Sequence, residues 1–409
     1  MSIDFKHPKY RDNLENWNLV NDICDSTNLR KYLVKLNNND VSVENKMRND
    51  QFFHRSVFAA VAGYTNRGFV GKIFSKSPTL EIPEELNYVR YDVNGAGESI
   101  YQQSQEVTRD VIRIGRAGLL VDFPTTNGEV SRADILNGKV FATITRYDAR
   151  DIINWRTERV GSKVKPVLVV LKSTRPETEP DGYTLKDKDI RIELALEEGV
   201  YVQREWCQNE QLEWYIDSEV FPRDGSGALL DYIPFVFVGS EANTTQIDHP
   251  PMYDLAKINV GHYNNSAIYE DSVFTVGQVQ PWMSGLNQET VDLMKQNNMY
   301  VGSGRLIGVP SGERFDFAQA SPNMLAREAM MDKVQLMIGL GAMFMQQGGV
   351  AKTAAQIDGE LMAQHSVLSL IAHNVSEAYE TALEIAGQFM GVRGEAEYEY
   401  NLSQDFIDP

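Results

Sequence analysis

Residues 99–123 read SIYQQSQEVTRDVIRIGRAGLLVDF. Ser99, with Gln102 three residues on, forms a capping box, the arrangement that satisfies free N–H groups at a helix start. Ile100, Val107, Val111 and Ile114 follow at helical spacing until Gly115 and Gly118 interrupt it, so a helix is expected over roughly 99–116. Leu119-Leu120-Val121-Asp122-Phe123 then reads as a buried strand, Pro124 to Gly128 as a turn and Val140 to Tyr147 as an alternating strand. Further strands are expected at 166–172, 189–196, 200–207, 212–217 and 233–238, which makes 119–240 mostly β. A helix feeding directly into such a body sets the class as α+β.

Upstream, residues 1–95 read as helix-rich, with Asn, Lys and Asp clusters as loops. One helix is expected over Glu44–Ala62, carrying Phe52, Phe53, Val57, Phe58 and Val61. Downstream of Asp248, Pro250 and Pro251 suit a first helical turn, and helical spacing runs to about Val273. Large apolar residues are few there, and Gly261, Asn264, Asn265, Ser266 and Ala267 fill its second half, so this helix needs neighbours. Residues 274–320 read as short strands around a helix at 287–298, a small α/β insertion.

Ser321-Pro322 then opens a helix to about Met345, with Met324, Met330, Met331, Met337, Met343 and Met345 on it. Methionine fills irregular or shifting contacts, which fits ordinary core packing or contacts between copies in a ring. Gln346-Gln347-Gly348-Gly349-Val350-Ala351-Lys352 breaks that helix with a flexible loop, and Thr353-Ala354-Ala355-Gln356 is a second capping box. The helix it opens is the longest expected. Ile357, Gln364, Ile371, Ala378 and Ile385 recur every seven residues, as do Leu361, Leu368, Val375, Ala382 and Phe389, giving a 3.5-residue seam that ends at glycines 387, 391 and 394. Glu395 to Tyr400 alternates like a strand.

The 409 residues suggest two to four compact units, and 42% hydrophobic with 23% charged residues excludes a disordered or collagen-like chain. Cys24 and Cys207 lie far apart without CxxC spacing, which argues against a disulfide scaffold or zinc ribbon. No basic-then-apolar leader and no membrane-length apolar run occur, so a soluble intracellular protein is expected. Lys and Arg total 39 against 57 Asp and Glu, a net of −18, which opposes a broad basic surface gripping nucleic acid but not one along which DNA slides. Half of that imbalance lies in residues 354–409, read as a solvated helix face and an acidic tail.

No phosphate loop, HExxH, GxSxG or calcium loop is present, and Gly95-Ala96-Gly97 lacks the context of a dinucleotide site. No catalytic constellation, cofactor or metal is expected. Asp122, Asp148 and Asp151 could gather on strand ends as metal ligands, although such aspartates more often cap turns. Arg109, Arg113 and Arg116 recur at four and three residues and so share one helix stripe, suited to pairing with carboxylates of a neighbouring subunit or domain.

Several stretches resemble the portal proteins of tailed double-stranded DNA phages. They are Gln105 to Asp110 leading into Gly118 to Phe123, Tyr147-Asp148-Ala149-Arg150-Asp151-Ile152-Ile153-Asn154-Trp155, Ile233-Pro234-Phe235-Val236 and Pro250 to Ala256. With Tyr263-Asn264-Asn265-Ser266-Ala267 and Thr353 to Gln356 they look like a portal branch long catalogued only as a domain of unknown function. The resemblance covers roughly residues 90–400. It implies a multidomain subunit: a helical and β-rich wing at 1–249, stem helices at 250–273 and 321–343, and a small α/β clip at 274–320. A tunnel loop at 344–353, a long wing helix at 354–391 and a C-terminal strand or start of a crown at 392–409 complete it.

What the resemblance implies about function is a dodecameric ring at one capsid vertex of the virion, assembled in the host cytoplasm, without catalysis and away from membranes. Double-stranded DNA passes through it for packaging, retention and ejection. The terminase large subunit, a head-tail adaptor and the major capsid and scaffolding proteins are the implied partners. Gln346, Gln347, Gly348, Gly349 and Lys352 become the residues facing DNA, and Arg109, Arg113, Arg116, Met324, Met331 and Met337 the candidates for contact between subunits. The alternatives are a cytosolic α/β metal-dependent enzyme using Asp122, Asp148 and Asp151, or a ring or adaptor protein that conducts no DNA.

Overall fold

The computed structural model describes residues 3–37, 39–124, 140–178, 181–277, 280–284, 288, 292, 314–318, 324–342, 354–392 and 396–403. The chain is α+β and divides into two compact units. The first comprises residues 1–27, 60–257 and 339–409, and the second 28–59 and 258–338. The helices are α1 (Pro8–Asp25), α2 (Val43–Arg55), α3 (Val61–Ile73), α4 (Ile100–Ile114), α5 (Tyr253–Val276), α6 (Met324–Ala342) and α7 (Ala354–Met390). The strands are β1 (Thr79–Glu81), β2 (Arg116–Asp122), β3 (Thr143–Asp148), β4 (Ile152–Val160), β5 (Lys163–Thr178), β6 (Leu185–Glu197), β7 (Val200–Gln208), β8 (Trp214–Val220), β9 (Phe235–Gly239), β10 (Gln280–Ser284), β11 (Arg314–Ala318) and β12 (Glu399–Asn401).

In the first unit both halves of the capping box at Ser99 and Gln102 form, and α4 ends at Gly115, whose φ of 74° is the left-handed conformation that glycine adopts without strain. The chain passes at once into β2, the centre of an antiparallel sheet ordered β3-β2-β9. Ala117, Leu119, Leu120 and Val121 are all buried, because both faces of this strand are covered. A five-stranded antiparallel meander, β4-β5-β6-β7-β8, follows, and β1 pairs with β12. Strand β4, with irregular register at Ile152/Asn154 and Arg156/Thr157, is an element that the alternation in the sequence did not announce.

Helix α7, 37 residues and about 55 Å long at 1.5 Å per residue, is the centre of this core. The heptad positions Leu368, Ile371, Val375, Ala378, Ala382, Ile385 and Phe389 are all buried, but so are Ala372, Tyr379, Leu383 and Ala386. A broad face therefore replaces the narrow seam, since α7 packs on α4, β2 and β9 together. Polar groups inside this packing are matched: the Tyr379 hydroxyl donates to Gln103 Oε1 at 3.1 Å and Asn374 Nδ2 to the Gly239 carbonyl at 2.9 Å.

The second unit explains the asparagines of α5. Asn264 Nδ2 donates to the Tyr32 carbonyl at 3.0 Å while its Oδ1 accepts from Val34 N at 2.8 Å, and Asn259 Nδ2 donates to the Ala59 carbonyl at 2.9 Å. Arg48 Nη1 and Arg55 Nη2 both reach Asp271 Oδ1, at 2.8 and 2.7 Å. A helix poor in large apolar residues is thus tied by side-chain hydrogen bonds to residues 28–59. The single helix expected over 44–62 is corrected here: α2 ends at Arg55 and α3 begins at Val61. Ser56 Oγ donates to the Phe53 carbonyl at 2.6 Å, a local bond that competes with helix continuation. Strands β10 and β11 pair antiparallel, Gln280 opposite Ala318 through Ser284 opposite Arg314. The helix expected at 287–298 lies, apart from residues 288 and 292, outside the described residues, as do Met343, Met345 and the Gln346–Lys352 loop.

Candidate functional site

Two constellations stand out, one in each unit. The second unit holds α6 as far as Ile338, and the helix reads MLAREAMMDKVQLMIGLGA, with buried and exposed positions mixed along it. Ala326 and Met337 are buried, whereas Leu325 is 75%, Met331 59% and Leu336 57% exposed, with Met324 and Ile338 near half. At 100° per residue Met324, Met331 and Ile338 fall within about 40° of one another, and Leu325 and Leu336 form a second stripe about 130° round, with exposed Gln335, Glu328 and Asp332 between the two. Met337 and Ala326 lie on the opposite side. The face that solvent reaches therefore carries five large apolar side chains interleaved with Arg327, Glu328, Asp332 and Gln335, a mixed face rather than the wholly polar one of an ordinary surface helix. Of the methionines proposed for contacts between copies, Met324 and Met331 are on this face. Met337, 1% exposed, is a correction: it falls on the other side of the helix and is already buried in the single copy.

The first unit carries a charged cleft of ≈ 560 Å³ where α1, α3, α4 and the β3–β4 turn meet. Asn21 and Asp25 come from the last turns of α1, Arg67 from α3, and Glu106, Arg109, Asp110 and Arg113 from α4. Arg146, Asp148, Arg150 and Asp151 complete it. Arg113 grips Asp25 with two bonds of 3.0 and 2.7 Å, and Arg150 grips Asp148 with bonds of 3.0 and 2.8 Å. Arg146 pairs with Asp110, and Arg109 with Glu106. Burial pushes the Asp110 carboxyl up to about 7 despite the Arg146 guanidinium.

Arg109 and Arg113 thus share the cleft, but the stripe does not extend to Arg116. Gly115 ends the helix, and Arg116, 1% exposed, opens β2 and turns inward. Its guanidinium stacks 4.5 Å from the Trp155 ring and 4.7 Å from Phe237, and donates to the Gln246 carbonyl at 2.8 Å. No surface remains on it for a neighbouring subunit, which corrects its place among the contact candidates.

The three aspartates proposed as metal ligands do not gather. Asp148 faces Ala117 across the β2–β3 ladder and Asp122 faces Thr143, so the two sit at opposite ends, about 17 Å apart at 3.3–3.4 Å per residue. Asp122 accepts instead from Gln203 Nε2 at 3.2 Å and Phe123 N at 2.8 Å. Another group with ligand chemistry, Glu205, Cys207 and Asp217, surrounds Arg175, whose Nη1 lies 2.5 Å from Glu205 and 3.1 Å from Asp217.

Asp151 supplies a pH prediction. Burial first, then the Asp148 charge, pushes its carboxyl up to about 6. A raised folded-state pKa means that the native protein keeps a proton that the unfolded chain releases above about pH 4, so stability falls between about pH 4 and 6. Asp151→Asn removes this decline. Urea unfolding is expected to show variant and parent equal near pH 4 and the variant more stable by about 1–2 kcal/mol at pH 7.5, the figure being reduced for partial solvent screening. Equal stability at both values contradicts this assignment.

Among solved structures, a chain of the virion of a native gene transfer agent particle is 13% identical, with a TM-score of 0.44 over 87% of this chain and 84% of that one. A chain of the neck of an empty gene transfer agent particle, computed with C6 symmetry, is 12% identical, with a TM-score of 0.44 over 84% of this chain and 81% of that one. No curated protein matches the sequence. A family model described as "Domain of unknown function (DUF4055)" matches residues 251–390, the stretch from α5 to the end of α7.

Proposed function

We propose that the chain is the subunit of a phage portal, a ring at one capsid vertex through which double-stranded DNA is packaged, retained and ejected. The observation that carries this reading is the set of large apolar side chains that α6 leaves open in the single copy, Met324, Leu325, Met331, Leu336 and Ile338, suited to burial against the next copy. Chain order supports it: α5 leaves the first unit, the β10–β11 hairpin follows, α6 returns, and α7 fills the core. The family match over 251–390 spans these same elements.

In this reading α5 and α6 are the stem helices, and the segment holding β10 and β11 is the clip that receives the terminase large subunit and then a head-tail adaptor. Residues 344–353 are the tunnel loop, with Gln346, Gln347, Gly348, Gly349 and Lys352 touching passing DNA weakly. The major capsid and scaffolding proteins surround the ring. The net charge of −18 suits transit, because each neutralised phosphate adds affinity that would arrest the strand. The protein is a virion component, and its work is positioning rather than catalysis. Mass photometry tests the reading: a species near twelve times the 46.2 kDa chain supports it, and folded monomer alone at micromolar concentration overturns it.

A further inference from the structure

The α1–α3 end of the charged cleft holds more donors than acceptors. Four of its five arginines have a carboxylate partner, whereas Arg67 has none among the described residues: its guanidinium lies 4.6 Å from the Tyr64 ring and its charge reaches the Cys24 thiol. The remaining carboxyl, Asp151, faces Asp148, Arg150 and Arg146 instead. Asn21 is 4% exposed, and its Nδ2 is buried without a hydrogen-bond partner while its Oδ1 accepts from Arg113 Nη1 at 3.4 Å. Arg113 Nε is likewise buried and unpartnered. Both orphaned atoms are donors, and a buried donor without an acceptor carries its full desolvation cost.

The backbone brings these groups together. A Cβ on Gly63 would lie 2.3 Å from the Cys24 carbonyl oxygen, so α1 and α3 touch at that point. Arg67 stands one turn beyond Gly63, Asn21 stands one turn before Cys24, and both line the cleft. We propose that this end of the cleft is a receptor for one oxyanion group, a carboxylate or a phosphate, held by Arg67 with the Asn21 amide and Arg113. Apart from Arg67 the walls hold five carboxylates and four arginines, which disfavours a polyanion, whereas a single anionic group meets the one guanidinium without a carboxylate partner among the described residues.

The test is isothermal titration of the full chain at constant ionic strength with two probes, inorganic phosphate and the blocked peptide acetyl-Ala-Glu-Ala-amide. Saturable binding of at least one probe is expected, weakened roughly tenfold or more in Arg67→Gln, less in Arg67→Lys, and unchanged in Arg159→Gln, an exposed arginine on β4. Phosphate alone identifies a free anion as the ligand, the peptide alone an acidic protein side chain, and competition between them a site open to both. Arg67 is exposed, so folding should survive its replacement, as circular dichroism would confirm. No saturable heat with either probe, binding undiminished in Arg67→Gln, or equal loss in Arg159→Gln overturns the proposal.

Discussion

Substituting both Leu325 and Met331 with aspartate is expected to abolish ring assembly while each copy stays folded. Both side chains are mostly exposed in the single copy, so their replacement should change its stability by no more than about 0.5 kcal/mol. In a ring the same positions are buried against a neighbour, and an unpaired carboxylate there costs about 3 kcal/mol or more. At 1.4 kcal/mol per tenfold, each change weakens the contact by about a hundredfold and the two together by about ten-thousandfold. Mass photometry of the variant should give monomer, with circular dichroism and melting temperature near those of the parent. A variant that assembles normally would place the α6 face outside any interface.

A second large effect is expected at Gly63. The atom that an added Cβ would strike is the Cys24 carbonyl oxygen, part of the backbone of α1, and cannot rotate away. Gly63→Val must therefore force α1 and α3 apart, opening the packing around Trp17, Val20, Ile23 and Phe69, all of which are buried. A loss of about 3 kcal/mol is expected. Gly71→Ala, on the same helix with nothing within 4 Å, is the control and should be neutral or slightly stabilising. Urea unfolding of the two variants decides it, and equal midpoints would contradict the close approach.

What the sequence made legible was local. The capping box at Ser99 and Gln102, the glycine stop at 115 and the apolar run of β2 all depend on neighbours within a few residues, and all form as expected. Arg116 was misplaced because three- and four-residue spacing continues on paper past Gly115, whereas the left-handed turn there sends the side chain inward. The break between α2 and α3 was hidden for a similar reason: apolar spacing runs on through Val57, Phe58 and Val61 after the hydrogen bonds have stopped.

Long-range assembly was not legible. Asn264 reaches residues 32 and 34 across some 230 positions, and nothing in either segment alone announces the other. The cleft draws its charges from α1, α3, α4 and the β3–β4 turn, so the stripe of Arg109 and Arg113 was visible while Arg67 and Asn21 were not. Spacing also could not say that Met331 faces solvent while Met337 faces the interior. That division follows from which side of α6 the rest of the chain covers.

Whether copies of this chain close into a ring around a DNA channel, as proposed, is decided by an electron cryomicroscopy reconstruction of the purified full chain. The predicted result is a closed ring of about twelve copies with α5 and α6 around an axial channel wide enough for a B-form duplex, and with Leu325, Met331 and Leu336 buried between neighbours. Particles of one copy, or a ring that leaves the α6 face in solvent or closes its centre to a duplex, would contradict it.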